Sequence, residues 1–535
     1  MDRRTFLGTA LAAGAAVPLL GAPGAAAAPA PAAGMSWPAG QVLPRFAAPT
    51  ELVTADLSAH SPADQLTLVT LQGIVNRTRP RIYLLADVTE GRATWLPDTG
   101  VPYSGPVPLA DLVAAYRSEI TGAVVPDPAQ PQSVSVATSL AGLDDAVVAS
   151  AETAAALGLP VVADLRGRFA DDLAASRWQI DNLWPHTTHR AVISMNTSLT
   201  GYLRDYAVAM RALCVWLDHS DPAQKALIEQ LADGMPAYSP YMGWLRGGES
   251  PAVETLSRRS VQVLAADTAQ NLSVWAGVPA APALLKHGRP HGRPHRRAAP
   301  AAANKIYVTL TFSDGDNLQY AQHKMRQLWD DPARGQVPLN WPVTPQILDA
   351  APALFAHYRR TATDGDHLLA GPSGLGYVFP SAYPPASFDG FVSRTADYAR
   401  ALGMDSTVVI NRLDSTYTPL TEAAVHSYAT RWGPRGIFQN WSDFETEQLV
   451  VDGTPVARSR MALTQDELRT GLSRAADAWT AAGGTSPVFT TVFLNAWSMT
   501  PTLAAAVAAE ADDRYIFLRG DQFLSLVAEV TPGQR

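Results

Sequence analysis

The stretch "KIYVTLTFSDGDN", residues 305–317, predicts a strong buried strand that ends in carboxylates. Similar units follow it. "PLNWPVTPQILD" (338–349) reads as a strand and turn, and "DHLLAGPSGLGYVFP" (366–380) as a strand and its loop. "FVSRTADYARALG" (391–403) is a helix stopped by glycine. "STVVINRLD", "RGIFQNWSDF" and "SPVFTTVFLNAW" supply further strands, and "RYIFLRGDQFLSLVAEV" closes the series as strand then helix. Seven candidate strands from Lys305 onward suit an irregular or incomplete (β/α) barrel; an open doubly wound sheet is the alternative. In both, ligands bind beyond the carboxyl ends of the strands.

Residues 34–285 carry a second α/β pattern, which two or three subdomains would accommodate. Ser61 and Pro62 mark a helix start, with a stripe of Leu66, Val69, Leu71, Ile74 and Val75 and an end at Asn76 or Pro80. "RIYLLA", "GAVVP", "SVSVAT" and "LPVVADLRG" read as strands, and "GLDDAVVASAETAAALG" as one helix. Between the halves, "KHGRPHGRPHRRAAPAAANK" (286–305) is low-complexity, so 286–303 is expected to be a linker and 304–535 the C-terminal domain. His287, His291 and His295 recur every fourth residue, but the intervening Gly and Pro forbid the helix that would align them. No metal or other cofactor is expected.

The first 33 residues stand apart. Arg3 and Arg4 precede a short Ala/Leu/Val run broken by Pro18, then small residues suited to a signal peptidase. This is the pattern of a twin-arginine export signal, with the export machinery as partner and a secreted or cell-envelope destination. The run is too short and interrupted to span a bilayer, so no membrane association is expected after processing. Cys214 is the only cysteine, which excludes an intramolecular disulfide and reads as a buried, inert thiol. The formal net charge of −8 argues against nucleic acid as a partner.

Polar groups recur at the predicted strand ends. They are Asp314, Asp316 and Asn317; Trp341 and Gln346; Ser373, Gly374, Gly376 and Tyr377; Asn411, Arg412 and Asp414; Asn440, Trp441, Asp443 and Glu445; Asn495 and Trp497; Arg519 and Asp521. Carboxylates, carboxamides and indoles together suit a sugar, whose hydroxyls need paired donors and acceptors and whose C–H faces stack on aromatic rings. Asp316, Asp314, Asp443 and Glu445 are the candidate catalytic acids, with Gly315 giving the Asp316 turn freedom. Asn317, Trp341, Ser373, Gly374, Gly376, Tyr377, Asn411, Asn440, Trp441, Asn495, Trp497 and Asp521 are the candidate sugar contacts. "TFSDGDN" has three open readings: an Asp-rich turn, a hard-cation site, or catalytic acids. Glu249, after Gly247 and Gly248, reads as a solvated loop acid.

"GLGYVFP" (374–380) resembles the signature of the GxGYxYP putative glycoside hydrolase family at Gly374, Gly376, Tyr377 and Pro380, with Phe379 in place of the second Tyr. "SDGDN", "NWPVTP" and "AGPSGLGY" are similar to that family's C-terminal domain, and "TLQGIVNRTRPRIYLL" and "AADTAQNLSVWAG" to its N-terminal part. The resemblance implies an exported carbohydrate-active protein, a glycoside hydrolase acting on an oligosaccharide or polysaccharide. Two alternatives stand beside it. One is a non-catalytic glycan-binding protein. The other is a metal-dependent polysaccharide deacetylase, whose Thr-Phe-Asp-Asp-Gly motif "TFSDG" matches except for Ser313.

The export reading predicts that changing Arg3 and Arg4 together to lysine retains the precursor in the cytoplasm. Fractionation and immunoblotting measure this, and undiminished secretion of the double variant would exclude the twin-arginine route.

Overall fold

The computed structural model describes residues 34–86, 90–288 and 299–531. The signal-peptide reading of 1–33, and His291 and His295 of the proposed linker, lie outside these residues.

Three small parallel sheets build the N-terminal half. The first orders β1 (Leu52–Asp56) between β2 (Ile82–Leu85) and β3 (Tyr103–Ser104). The second places β4 (Ala123–Val125) between β5 (Val147–Val148) and β6 (Val161–Asp164). The third contains β7 (Thr188–Ser194), β8 (Ala212–Val215), β9 (Pro240–Gly243) and β10 (Gln262–Ala265), in the order β10-β9-β7-β8. Most of these strands are buried on both faces, which is why they read as short apolar runs without alternation.

The helix Pro62–Thr78 begins as expected, with the Ser61 side chain accepting the Asp64 amide. It runs past Asn76, which is buried and donates through Nδ2 to Ile82 O and Ser273 Oγ at 2.9 Å each. "SVSVAT" is not a strand but the start of the helix Ser133–Asp144. Its alternating Ser and Val mimic a strand period, yet Thr138 and Ser139 return their hydroxyls to the carbonyls four residues back. "GLDDAVVASAETAAALG" is likewise not one helix: it contains β5, then the helix Ala151–Ala156 capped by Ser150. Cys214 lies on β8, fully buried.

The C-terminal half is dominated by one ten-stranded sheet. It begins with β11 (Ile306–Phe312), β12 (Leu339–Val343), β13 (Asp366–Ala370) and β14 (Thr407–Val409). A separate hairpin follows, of β15 (Arg412–Leu413) and β16 (Thr416–Tyr417). The sheet then resumes with β17 (Ile437–Asn440), β18 (Leu449–Val451), β19 (Thr454–Ser459), β20 (Met461–Ala462), β21 (Val488–Leu494) and β22 (Tyr515–Phe517). The order is β18-β19-β17-β14-β13-β12-β11-β21-β20, with β22 on β11, and only the β18–β19 pair is antiparallel. β19 pairs with β17 and β20 with β21, although Arg460 alone separates β19 from β20.

The halves share one core. Met242, Leu264 and Trp275 belong to the same apolar cluster as Phe312, Leu318 and Trp341. Asp349 Oδ2 accepts the amides of Val42 and Leu43 at 3.1 Å and so ties the early chain to the C-terminal half. Among the described residues no helix is long and apolar enough to cross a membrane.

Beyond β13 the turns pack without room for side chains. A Cβ on Gly371 would sit 2.1 Å from Gly315 O, and one on Gly315 would sit 2.3 Å from Pro342 Cβ. Gly315 is therefore required by close approach, not by the turn freedom expected of it. Gly371→Ala meets backbone that cannot swing aside and is predicted to lower unfolding stability by ~1–3 kcal/mol. Urea unfolding measures this; an unchanged midpoint would refute it.

Candidate active site

The carboxyl end of β11 forms the floor of the site. Ser313 N donates to Leu494 O at 2.9 Å, which holds the turn against β21. Ser313 Oγ donates to the Asp314 carboxylate and accepts Ala496 N at 3.0 Å. Asp314 adopts φ +65°, a left-handed conformation that Asp tolerates better than most side chains. Asp316 follows, only 7% exposed.

A cleft of about 220 Å³ opens above this turn. Asp314, Asp316, Tyr377, Asn440 and Asn495 line it, together with Trp244, Glu249 and Arg412. Phe312, Pro342, Pro372, Val408 and Phe493 give it apolar walls. The acid that completes the group is Glu249, from the N-terminal half. Glu249 opens the helix Glu249–Ser257 after two glycines at φ +84° and +115°. It faces solvent, as expected, but its Oε1 accepts the Tyr377 hydroxyl at 2.9 Å. A run of two glycines, an acid and a helix start was the available signal for it.

The glycine-rich loop also joins the two halves of the chain. Tyr377 N and O pair with Val263 O and N at 3.0 Å, joining the loop to β10. A Cβ on Gly376 would lie 2.4 Å from Gln262 Oε1, and one on Gly374, at φ +123°, would lie 2.7 Å from Thr395. These glycines let chain pack on chain. Ser373 is fully buried, its hydroxyl donating to Val378 O at 2.8 Å.

Other sequence candidates also have structural partners. Trp341 is fully buried, stacked on Phe312, and donates Nε1 to Asp366 Oδ1 at 2.8 Å, so it is core. Asn317 caps the helix Leu318–Gln322, and Asn411 donates to Ser381, Thr418 and Pro419. Asp443 is exposed and paired with Arg474; Asp521 is paired with Arg519 in the buried start of the last helix. Asp443, Glu445, Trp441, Asp414 and Asp521 are not among the cleft residues. Asp443 and Glu445 lie beyond Asn440, the last residue of β17 and the one that does line the cleft, and Asp414 sits in the turn of the β15–β16 hairpin. Trp497 is 57% exposed and is not among the cleft residues. Asn495 Oδ1 accepts the Trp497 amide at 3.0 Å, while the buried Asn440 Oδ1 has no protein partner.

Burial raises the Asp316 carboxyl well above its ordinary range, and the charges of Asp314 and Glu249 push it further. Burial raises Asp314 as well. Tyr377 is held far above a normal phenol, first by burial and then by Glu249 and Asp316. A carboxyl shifted upward in this way beside two further acids is suited to general acid chemistry. Among the described residues no group of three or more His, Cys, Asp or Glu side chains is placed to hold a metal ion. A larger crevice of about 460 Å³ lies at the ends of β4–β6, but its walls are chiefly apolar, including Pro62, Pro126 and Pro131.

The fold and cleft define a multidomain α/β protein whose acidic site is shared between its N- and C-terminal halves. The chain belongs to the GxGYxYP family: residues 304–528 match the GxGYxYP putative glycoside hydrolase C-terminal domain, and 51–118, 120–187 and 189–277 match the family's first, second and third N-terminal domains. A putative hydrolase from Bacteroides thetaiotaomicron is similar over 94% of this chain and 100% of its own, at 22% identity and a TM-score of 0.79. A probable polysaccharide deacetylase from Pseudomonas aeruginosa covers 43% of this chain and 94% of its own at 11% identity, with a TM-score of 0.31. No protein of curated function matches the sequence.

The raised Asp316 pKa gives a signed prediction. Above the unfolded-state value of ~4, the unfolded chain releases this proton and the folded chain retains it. Folding is therefore increasingly penalised as pH rises toward the folded-state pKa. Asp316→Asn is expected to gain stability relative to wild type between pH 4 and pH 7.5. Urea unfolding at both values measures the difference, and a pH-independent effect would contradict it.

Proposed function

We propose that this chain is an exported glycoside hydrolase whose catalytic acids are Asp316, Glu249 and Asp314. The observation that carries the proposal is the burial of Asp316 in a cleft it shares with two other carboxylates. Asp316, whose carboxyl is held well above its ordinary range by burial, donates a proton to the leaving glycosidic oxygen. Glu249, whose carboxylate accepts the Tyr377 hydroxyl, acts on the anomeric carbon, directly as nucleophile or through a water it deprotonates. Asp314, fixed by Ser313, orients Asp316 or binds a sugar hydroxyl. Trp244 offers a stacking face, while Asn440 and Asn495 supply carboxamides.

In this reading the C-terminal sheet is an irregular (β/α) barrel. Support comes from β19, second in the strand order beside the edge strand β18, and β20 at the other end, which are one residue apart in sequence. Export through the twin-arginine route, with the linker as a domain boundary, completes the proposal.

The test is reducing-end release from a panel of purified polysaccharides. Asp316→Asn and Glu249→Gln, each folded by thermal melt, should lose at least ~100-fold in turnover. Asp443→Asn, at an exposed ion pair, should retain activity. Near wild-type turnover in folded Asp316→Asn would overturn the assignment. Glycan binding by the wild type without reducing-end release would favour a binding protein instead.

A further inference from the structure

Arg412 is the only cationic side chain among the described residues that line the cleft. It reaches the site from the β15–β16 hairpin, which stands apart from the large sheet. Its guanidinium has neutral partners. Nη2 donates to the Tyr417 hydroxyl at 2.7 Å, Nη1 to Ser250 Oγ at 3.4 Å, and the group lies 4.4 Å from the Tyr417 ring centroid. Nε is buried and has no hydrogen-bond partner among the described residues.

Among the described residues no carboxylate lies within 4.0 Å of this guanidinium, although three acids line the same small cleft. Other arginines of this chain are paired: Arg334 with Asp366, Arg519 with Asp521, Arg435 with Asp405. Arg412 also does not figure among the charges that act on Asp314 or Asp316. It thus forms no ion pair with the cleft's acids, and its two bonds leave N–H groups of the fork unused. A planar guanidinium held by stacking and one short bond is pre-organised for a planar carboxylate, which it binds through two parallel hydrogen bonds. Ser250, its second partner, directly follows Glu249, so the recognised group belongs to the sugar ring in the cleft rather than to a distant unit.

We infer that Arg412 recognises a carboxylate on the bound sugar, and that the cleft takes a glycan containing uronic acid. This rests on the glycan-binding reading of the cleft. Crowding of the uronate against the cleft's acids is limited because Arg412 supplies the opposing charge.

The experiment uses full-length mature Asp316→Asn, so that cleavage does not confuse binding. Calorimetry compares oligogalacturonide, oligoglucuronide and oligomannuronate hexamers with their carboxyl-reduced counterparts, and with a sulfated galactan hexamer. At least one uronate should bind ~10-fold or more tighter than its reduced form, the scale of a hydrogen bond to a charged group. Adding Arg412→Gln should bring that ratio toward one, while Arg412→Lys, which keeps the charge but not the fork, should retain an intermediate ratio. Four results would overturn the inference: no binding to any uronate, no preference over the reduced forms, a stronger preference for sulfate, or a preference that survives Arg412→Gln. If Arg412→Gln does not fold, the wild-type ratio and Arg412→Lys still decide it. Release of reducing ends from neutral glycans without uronate preference would remove this inference and leave the hydrolase proposal standing. Uronate preference without cleavage would do the reverse.

Discussion

Two backbone hydrogen bonds between Tyr377 and Val263 hold the candidate site together. They fix the loop after β13 against the edge of the third N-terminal sheet, and they set the direction of the Tyr377 ring. Once that ring is fixed, its hydroxyl meets Glu249. Glycine at 376 eases this pairing, because a Cβ there would press on the Gln262 and Gln346 side-chain amides. Signature residues that resemble a ligand loop therefore act first as a joint within the chain.

The same joint explains the electrostatics. Asp316 is desolvated because the Asp-Gly-Asp turn is pressed between Pro342 and Gly371 on one side and covered by the N-terminal half on the other. A second bridge, between Ala265 and Asn317, holds β10 against the residue that follows Asp316. Acids brought this close resist ionising together, so protonation differs among groups whose isolated chemistry is nearly identical.

The sequence revealed the strands and the polar residues at their ends, because buried parallel strands are short apolar runs and the chain must turn where they stop. It revealed Asp314, Asp316 and Tyr377 as cleft residues for that reason. It could not separate them from Trp341, Asn411 or Asp521, whose side chains are turned to partners inside the protein: Trp341 looks outward only until Asp366 is seen to accept its indole. Glu249 was legible as an acid after paired glycines, but its meeting with Tyr377 depends on how two halves of the chain pack, which local pattern does not carry. "SVSVAT" was misread because hydroxyl side chains can satisfy themselves inside a helix and so imitate the alternation of a strand.

The sharing of the cleft between halves has a consequence for how such proteins can be recombined. Residues matching the C-terminal family domain supply Asp314, Asp316 and Tyr377, while Glu249 and Trp244 come from the stretch matching the third N-terminal domain. A chimera that exchanges only the C-terminal segment would unite a turn and a joint shaped for different neighbours. The heritable module is the pair, and a shuffling boundary that respects the chemistry falls before β7 rather than at the His-Gly-Arg-Pro repeat.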